Sequence, residues 1–110
     1  MGKEIIRIKL EFLQGPIWIS DAETGQPMTG IDIIDNDEKL RKINYEISTL
    51  YSSYYEFDSH EQACWFNKEQ EKKDKSKMLS LLKQLIDRLN ELNDGSFIVE
   101  DYETERLKKL

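Results

Sequence analysis

Met78, Leu82, Leu85, Leu89 and Leu92 recur at steps of four and three residues, with Leu79, Leu81 and Ile86 beside them. That spacing lays one apolar face along a helix and leaves the rest polar. Such a face has to be buried, so it constrains what the rest of the chain can do. Asn93-Asp94-Gly95 stops the helix, with glycine suited to the left-handed turn that ends one. A second stripe, Leu40, Ile43, Ile47, Leu50, Tyr54 and Phe57, steps by three and four and predicts a helix running to about Glu56. Asp35 is placed to cap its first free N–H groups, Glu38 can reach back, and the acids suit the positive end of the helix dipole. The two stripes predict an antiparallel pair of long helices.

The remaining apolar residues alternate instead. Ile6, Ile8, Leu10 and Phe12 are separated by Arg7, Lys9 and Glu11, the period of a strand with one buried face, expected over Glu4 to Leu13. Gln14-Gly15-Pro16 is a turn signal, and Ile17-Trp18-Ile19 is a short β-rich run that can return antiparallel. Asp21 to Gly30 is a loop by composition, and Ile31 to Ile34 is a third strand candidate. Ser96 to Val99 is a fourth, placed to bring the chain ends together in one sheet. Residues 101–110 read as a helix or frayed tail anchored by Tyr102, Leu107 and Leu110. The expected class is α+β: an antiparallel pair of long amphipathic helices packed on a small antiparallel sheet. The alternative is a helical hairpin that dimerises through its stripes, on the Leu85/Leu89 side, into a four-helix bundle. At 110 residues, one domain over 1–110 is expected.

Between the helical stripes lies Tyr51 to Asn67, YSSYYEFDSHEQACWFN. It holds six of the chain's aromatics, its only His (His60) and its only Cys (Cys64). Ser59 with Gln62 makes a second capping box, so a short helix is expected to carry Ala63, Cys64, Trp65 and Phe66. Lys68 to Lys77 has no apolar residue and mixed charge, which reads as a solvated helix face.

His60 and Cys64 are four apart, and a Cys–His pair can hold a reactive thiolate. No third group is there to orient the pair, and no oxyanion motif accompanies it. Asp58, His60, Glu61 and Cys64 could meet around a metal, but the second Cys or His that makes zinc spacing convincing is missing. Gly25 and Gly30 have neither the strand–glycine–helix context of a dinucleotide loop nor a phosphate-loop lysine. The chain is therefore read as a non-enzyme, with no cofactor and no metal. His60 and Cys64 remain as the centre of a third, metal- or thiol-based reading.

The net charge is −6, which disfavours nucleic acid and anionic membrane and suits a basic protein. Residues 21–38 carry six acids and no Lys or Arg, as either a solvated loop with helix-start acids or an acidic docking edge. No apolar run approaches a membrane span, position 6 is Ile where a myristoylation signal needs Ser or Thr, and no signal peptide or disulfide pair is seen. The cytoplasm is the expected location. The aromatics of 51–67 exceed what a turn between helices needs: either Tyr54, Phe57 and one or both of Trp65 and Phe66 cap the core, or Tyr51, Tyr55 and Trp65 stay partly exposed as a contact surface, since Tyr and Trp enrich binding hot spots. The expectation is a small acidic binding protein, of inhibitor or immunity type, that occludes a basic toxin or enzyme. Its contact residues would be Tyr51, Tyr55, Glu56, Asp58, Glu61 and Trp65. A structural or regulatory homo-oligomer is the alternative.

Overall fold

The computed structural model describes residues 4–10, 16–18, 20–21, 24–56 and 65–110, with backbone alone at Trp18, Glu56 and Trp65. It is a mixed helix-and-strand chain. In order come β1 (Glu4–Ile8), β2 (Ile17–Trp18), α1 (Asp32–Asp35), α2 (Glu38–Ser52), β3 (Tyr55–Glu56) and β4 (Trp65–Phe66). Then follow α3 (Lys68–Lys73), α4 (Lys75–Leu92), β5 (Phe97–Asp101) and α5 (Thr104–Lys108).

The sheet is not the antiparallel one expected from sequence. Its order is β2-β1-β5, with β1 antiparallel to β2 but parallel to β5. Parallel neighbours need a crossover connection, and the whole helical section from α1 to α4 lies between these two strands. Ile6 and Ile8 of β1, Ile17 of β2 and Phe97 of β5 turn into one core with Leu40, Ile43 and Ile47 of α2. Met78, Leu82, Leu85 and Leu89 of α4 and Leu107 of α5 join it, as do Leu10, Ile34 and Tyr54. Each such side chain contributes roughly 1.5–3 kcal/mol by leaving water. Leu85 and Leu89 are both fully buried inside this chain. The helical face that a stripe-mediated dimer would use is already occupied.

Ile31 to Ile34 is not a strand. Ile31 is half-buried and Ile34 fully buried, a spacing of three, while Ile33 is exposed. The Ile31 carbonyl accepts from the N–H groups of Ile34 and Asp35, so the segment closes on itself as the single turn of α1. Asp35 does not cap α2. Its carboxylate accepts from the Thr29 and Gly30 N–H groups and from the Thr29 hydroxyl, at 2.8–2.9 Å, and holds the preceding loop. The cap is Asp37, whose Oδ2 accepts from Leu40 N at 2.8 Å. Asp37 also receives Arg88 of α4, at 2.6 Å and 3.0 Å. The Arg88 guanidinium lowers the Asp37 carboxyl below its ordinary range.

The loop before α1 is fixed by one buried residue of α2. Asn44 accepts from Ile17 N at 3.1 Å and donates to Ser20 Oγ at 2.9 Å and to the Gly25 carbonyl at 2.8 Å. Gly25 has φ of 75°, and a Cβ there would lie 2.6 Å from the Tyr45 Cβ, so only glycine fits against α2. Two of the six acids of 21–38 are therefore engaged by the fold as turn and helix caps, Asp35 and Asp37. Asp21 joins them by accepting from Thr24 N at 3.1 Å.

Candidate binding surface at the helix joint

α2 ends at Ser52, four residues before the end expected from sequence. The reason is local. Ser53 Oγ donates to the Leu50 carbonyl at 2.6 Å and Tyr54 N donates to the Tyr51 carbonyl at 3.1 Å. These bonds take the last helical carbonyls and turn the chain, a common use of serine at helix ends. Tyr54 is driven inward by the turn and is fully buried. Its hydroxyl donates to Asp74 Oδ2, at the start of α4, at 3.1 Å.

Trp65 and Phe66 are not helical. They form β4, which pairs antiparallel with β3 so that Tyr55 faces Phe66 and Glu56 faces Trp65. Asn67 N donates to the Tyr54 carbonyl at 2.6 Å, and Asn67 Oδ1 accepts from Gln70 N at 3.0 Å to cap α3. The ribbon thus sits over the end of α2 and leads directly into the following helices.

Phe66 is the pivot of the aromatic group. Its ring centroid lies 4.9 Å from Tyr55, 5.6 Å from Tyr51 and 6.1 Å from Tyr54. Tyr51 meets Tyr54 and Tyr55 edge-on at 6.1 Å and 5.9 Å. These separations are those of favourable aromatic pairs, each worth about 0.5–1.5 kcal/mol beyond burial. Tyr51, Tyr55 and Phe66 are half-buried over the buried Tyr54. Burial, then its hydrogen bond with Tyr55, raises the Tyr51 hydroxyl well above the ordinary tyrosine range. Burial, then Asp74, does the same for Tyr54. Both therefore stay protonated donors at any physiological pH.

Of the residues singled out from sequence, Tyr51 and Tyr55 come together here. Glu56 and Trp65 are brought opposite each other by backbone pairing. Asp58, His60, Glu61 and Cys64 lie outside the described residues. Phe66, one of the residues expected from sequence to cap the core, packs half-buried against it and also touches all three tyrosines. A cleft of about 460 Å³ beside it is lined by Phe66, Asn67, Lys68 and Glu69.

Sequence reasoning missed a second cluster. Glu71 falls in a stretch that reads as a solvated face, yet it is buried. Arg106 of α5 brackets it, Nη2 to Oε2 at 3.0 Å and Nη1 to Oε1 at 3.4 Å, and donates through Nε to Glu103 Oε2 at 2.6 Å. Glu103, also buried, accepts from Leu10 N at 3.0 Å through its other oxygen. One signal was available: Glu71 lies seven residues before Met78, so the apolar stripe extended backwards lands on it. Its partner, thirty-five residues on, carries no such sign.

Among the described residues no group of three or more His, Cys, Asp or Glu is arranged to hold a metal ion. None of the described helices is long and apolar enough to cross a membrane. Comparison with protein-family models, with curated proteins and with solved structures finds no match for this chain.

Proposed function

We propose that this chain is a small acidic protein-binding domain, an inhibitor or immunity-type protein that neutralises a basic partner such as a toxin or nuclease. The framework we infer is an antiparallel α2–α4 pair backed by the mixed sheet. Its support is a tie at each end: Asp37 at the start of α2 to Arg88 near the end of α4, and Tyr54 after α2 to Asp74 before α4. The observation that carries the functional reading is the half-buried Tyr51–Tyr55–Phe66 cluster over buried Tyr54, in a segment, 51–67, with three acids and no Lys or Arg. Aromatic rings offer large contact area at low entropic cost, and clustered acids speed and select a basic partner.

The test is affinity capture with the immobilised chain at two salt concentrations, beside Tyr55→Ala and Phe66→Ala variants shown to be folded. A basic protein should be retained by the parent chain, released by salt, and bound at least about 30-fold more weakly by either variant, the scale of a hot spot near 2 kcal/mol. Binding that ignores salt, or that survives both substitutions, defeats the proposal.

A further inference from the structure

β5 lies at an edge of the sheet, and no described strand pairs along its other side. Its register with β1 fixes which backbone groups face outward. Glu4 N donates to the Ser96 carbonyl at 3.3 Å and Tyr102 N donates to the Ile8 carbonyl at 3.2 Å. In a parallel pair this turns residues 96, 98, 100 and 102 toward β1, and the N–H and C=O of Phe97, Val99 and Asp101 away from it. The Phe97 carbonyl accepts from Asn93 Nδ2 at 3.0 Å and keeps its second lone pair. Such a row of backbone groups is a template for another strand.

Two surfaces flank that edge. On the helix side, a groove of about 370 Å³ is floored by Leu79 and Ile86 of α4 and rimmed by Lys83, Asp87, Asp101 and Lys108. On the outer face, Ile5 and Ile98 are cross-strand neighbours and are 44% and 48% exposed. The groove rim balances two lysines with two aspartates, so it has no net sign with which to select a charged foreign strand.

We propose that β5 pairs antiparallel with β5 of a second copy of this chain about a twofold axis, with Ile98 opposite the partner's Ile98. Antiparallel pairing sets outward-facing residues against outward-facing ones, so the axis passes Ile98, Val99 or Glu100. Centring on Glu100 puts two carboxylates directly opposite, which is unfavourable. Centring on Val99 puts Ile98 against the partner's Glu100 and buried Phe97 against the partner's Asp101. Centring on Ile98 extends the Ile5–Ile98 pair across the axis and sets Phe97 against the partner's Val99 on the core side. It also pairs Glu100 with the neutral Ser96 of the partner subunit. The three-stranded sheets then join, and the exposed isoleucines gain a continuous apolar stripe.

Sedimentation of the full chain should show a monomer–dimer equilibrium with Kd on the order of 10–100 µM, as befits a small interface. Ile98→Lys sets two ammonium groups opposite at an exposed site and should weaken it at least about tenfold while circular dichroism is unchanged. In a Cys64→Ser background, Ile98→Cys should oxidise to a crosslinked dimer. The expected Cα separation, about 4.5 Å for a non-hydrogen-bonded pair, suits a disulfide. Glu100→Cys in the same background should not crosslink. A chain that stays monomeric at ~1 mM overturns the proposal. So does a Glu100→Cys crosslink equal to that of Ile98→Cys, or amide protection at Val99 that appears only when a foreign protein is bound.

Discussion

Replacing Arg106 by Met should unfold this chain more readily than any loss of packing explains. The methionine keeps the apolar stem and removes only the guanidinium. Two carboxylates then lose their cation. The Glu71 side chain is 4% exposed and that of Glu103 is 10% exposed, so neither can turn to water without leaving its place. Removing one partner of a buried ion pair costs about 3–5 kcal/mol. Arg106 itself is 40% exposed, so water already shares its charge, and the lower end, about 3 kcal/mol, is the expected loss. That is a large part of the 5–15 kcal/mol typical of a domain. Urea titration followed by circular dichroism should show a lower midpoint with an unchanged slope. Adding Glu71→Gln to the Arg106→Met variant should recover about 1–2 kcal/mol, because a neutral amide is cheaper to bury than an unpaired carboxylate. A loss below about 1 kcal/mol refutes the reasoning. So does a Glu71→Gln effect that is the same with and without Arg106, since groups acting as one network cannot be additive.

Arg88→Ala should cost stability that depends on pH. The folded Asp37 carboxyl titrates below its ordinary value, so the stabilisation is full above the usual carboxylate range and lost as pH falls through the lowered one. The melting-temperature gap between parent and variant should therefore close as pH drops from about 6 to about 2. Gly25→Ala forces a side chain onto Tyr45 at a φ of 75° and should cost more than about 2 kcal/mol by urea titration. Asn44→Ala removes bonds to Ile17, Ser20 and Gly25 in a buried site. It should cost about 3 kcal/mol and release the Ile17 amide to hydrogen exchange, where the parent protects it. If the proposed function holds, charge reversal at Glu56, Asp58 and Glu61 should slow association with a basic partner at low salt more than it speeds dissociation, as stopped-flow kinetics would read.

The features legible in the sequence are those with a period. The stripes of α2 and α4 and the alternation of β1 are repeated signals, and repetition survives the loss of any one residue. Ile31–Ile34 failed because four residues cannot distinguish a spacing of two from one of three when three of them are Ile. β3 and β4 were invisible because a two-residue strand has no period, and Trp65-Phe66 looked helical only by its neighbours. Parallel pairing of β1 with β5 depends on the path of the helices between them, which no local pattern encodes. At the candidate site, composition alone brought Tyr51 and Tyr55 forward. The central place of Phe66 came from strand pairing, and the burial of Glu71 from a partner in a distant helix.

The acids and the aromatics of this chain divide their work differently from what their clustering suggests. The acid-rich stretch 21–38 looks like a docking edge, but Asp35 and Asp37 hold a turn, a helix start and Arg88. A carboxylate that accepts hydrogen bonds at 2.6–2.9 Å from its own chain is poorly placed to be exchanged to a partner without unfolding what it caps. The aromatics show the converse. Tyr54 anchors the joint through Asp74 and Asn67, and Tyr51, Tyr55 and Phe66 pack half-buried around it. Ordering a ring before a partner arrives removes an entropic cost from binding. On the proposed reading the contact surface is therefore the aromatic group at the joint, whereas Asp21, Asp35 and Asp37 of the more acidic stretch serve the fold.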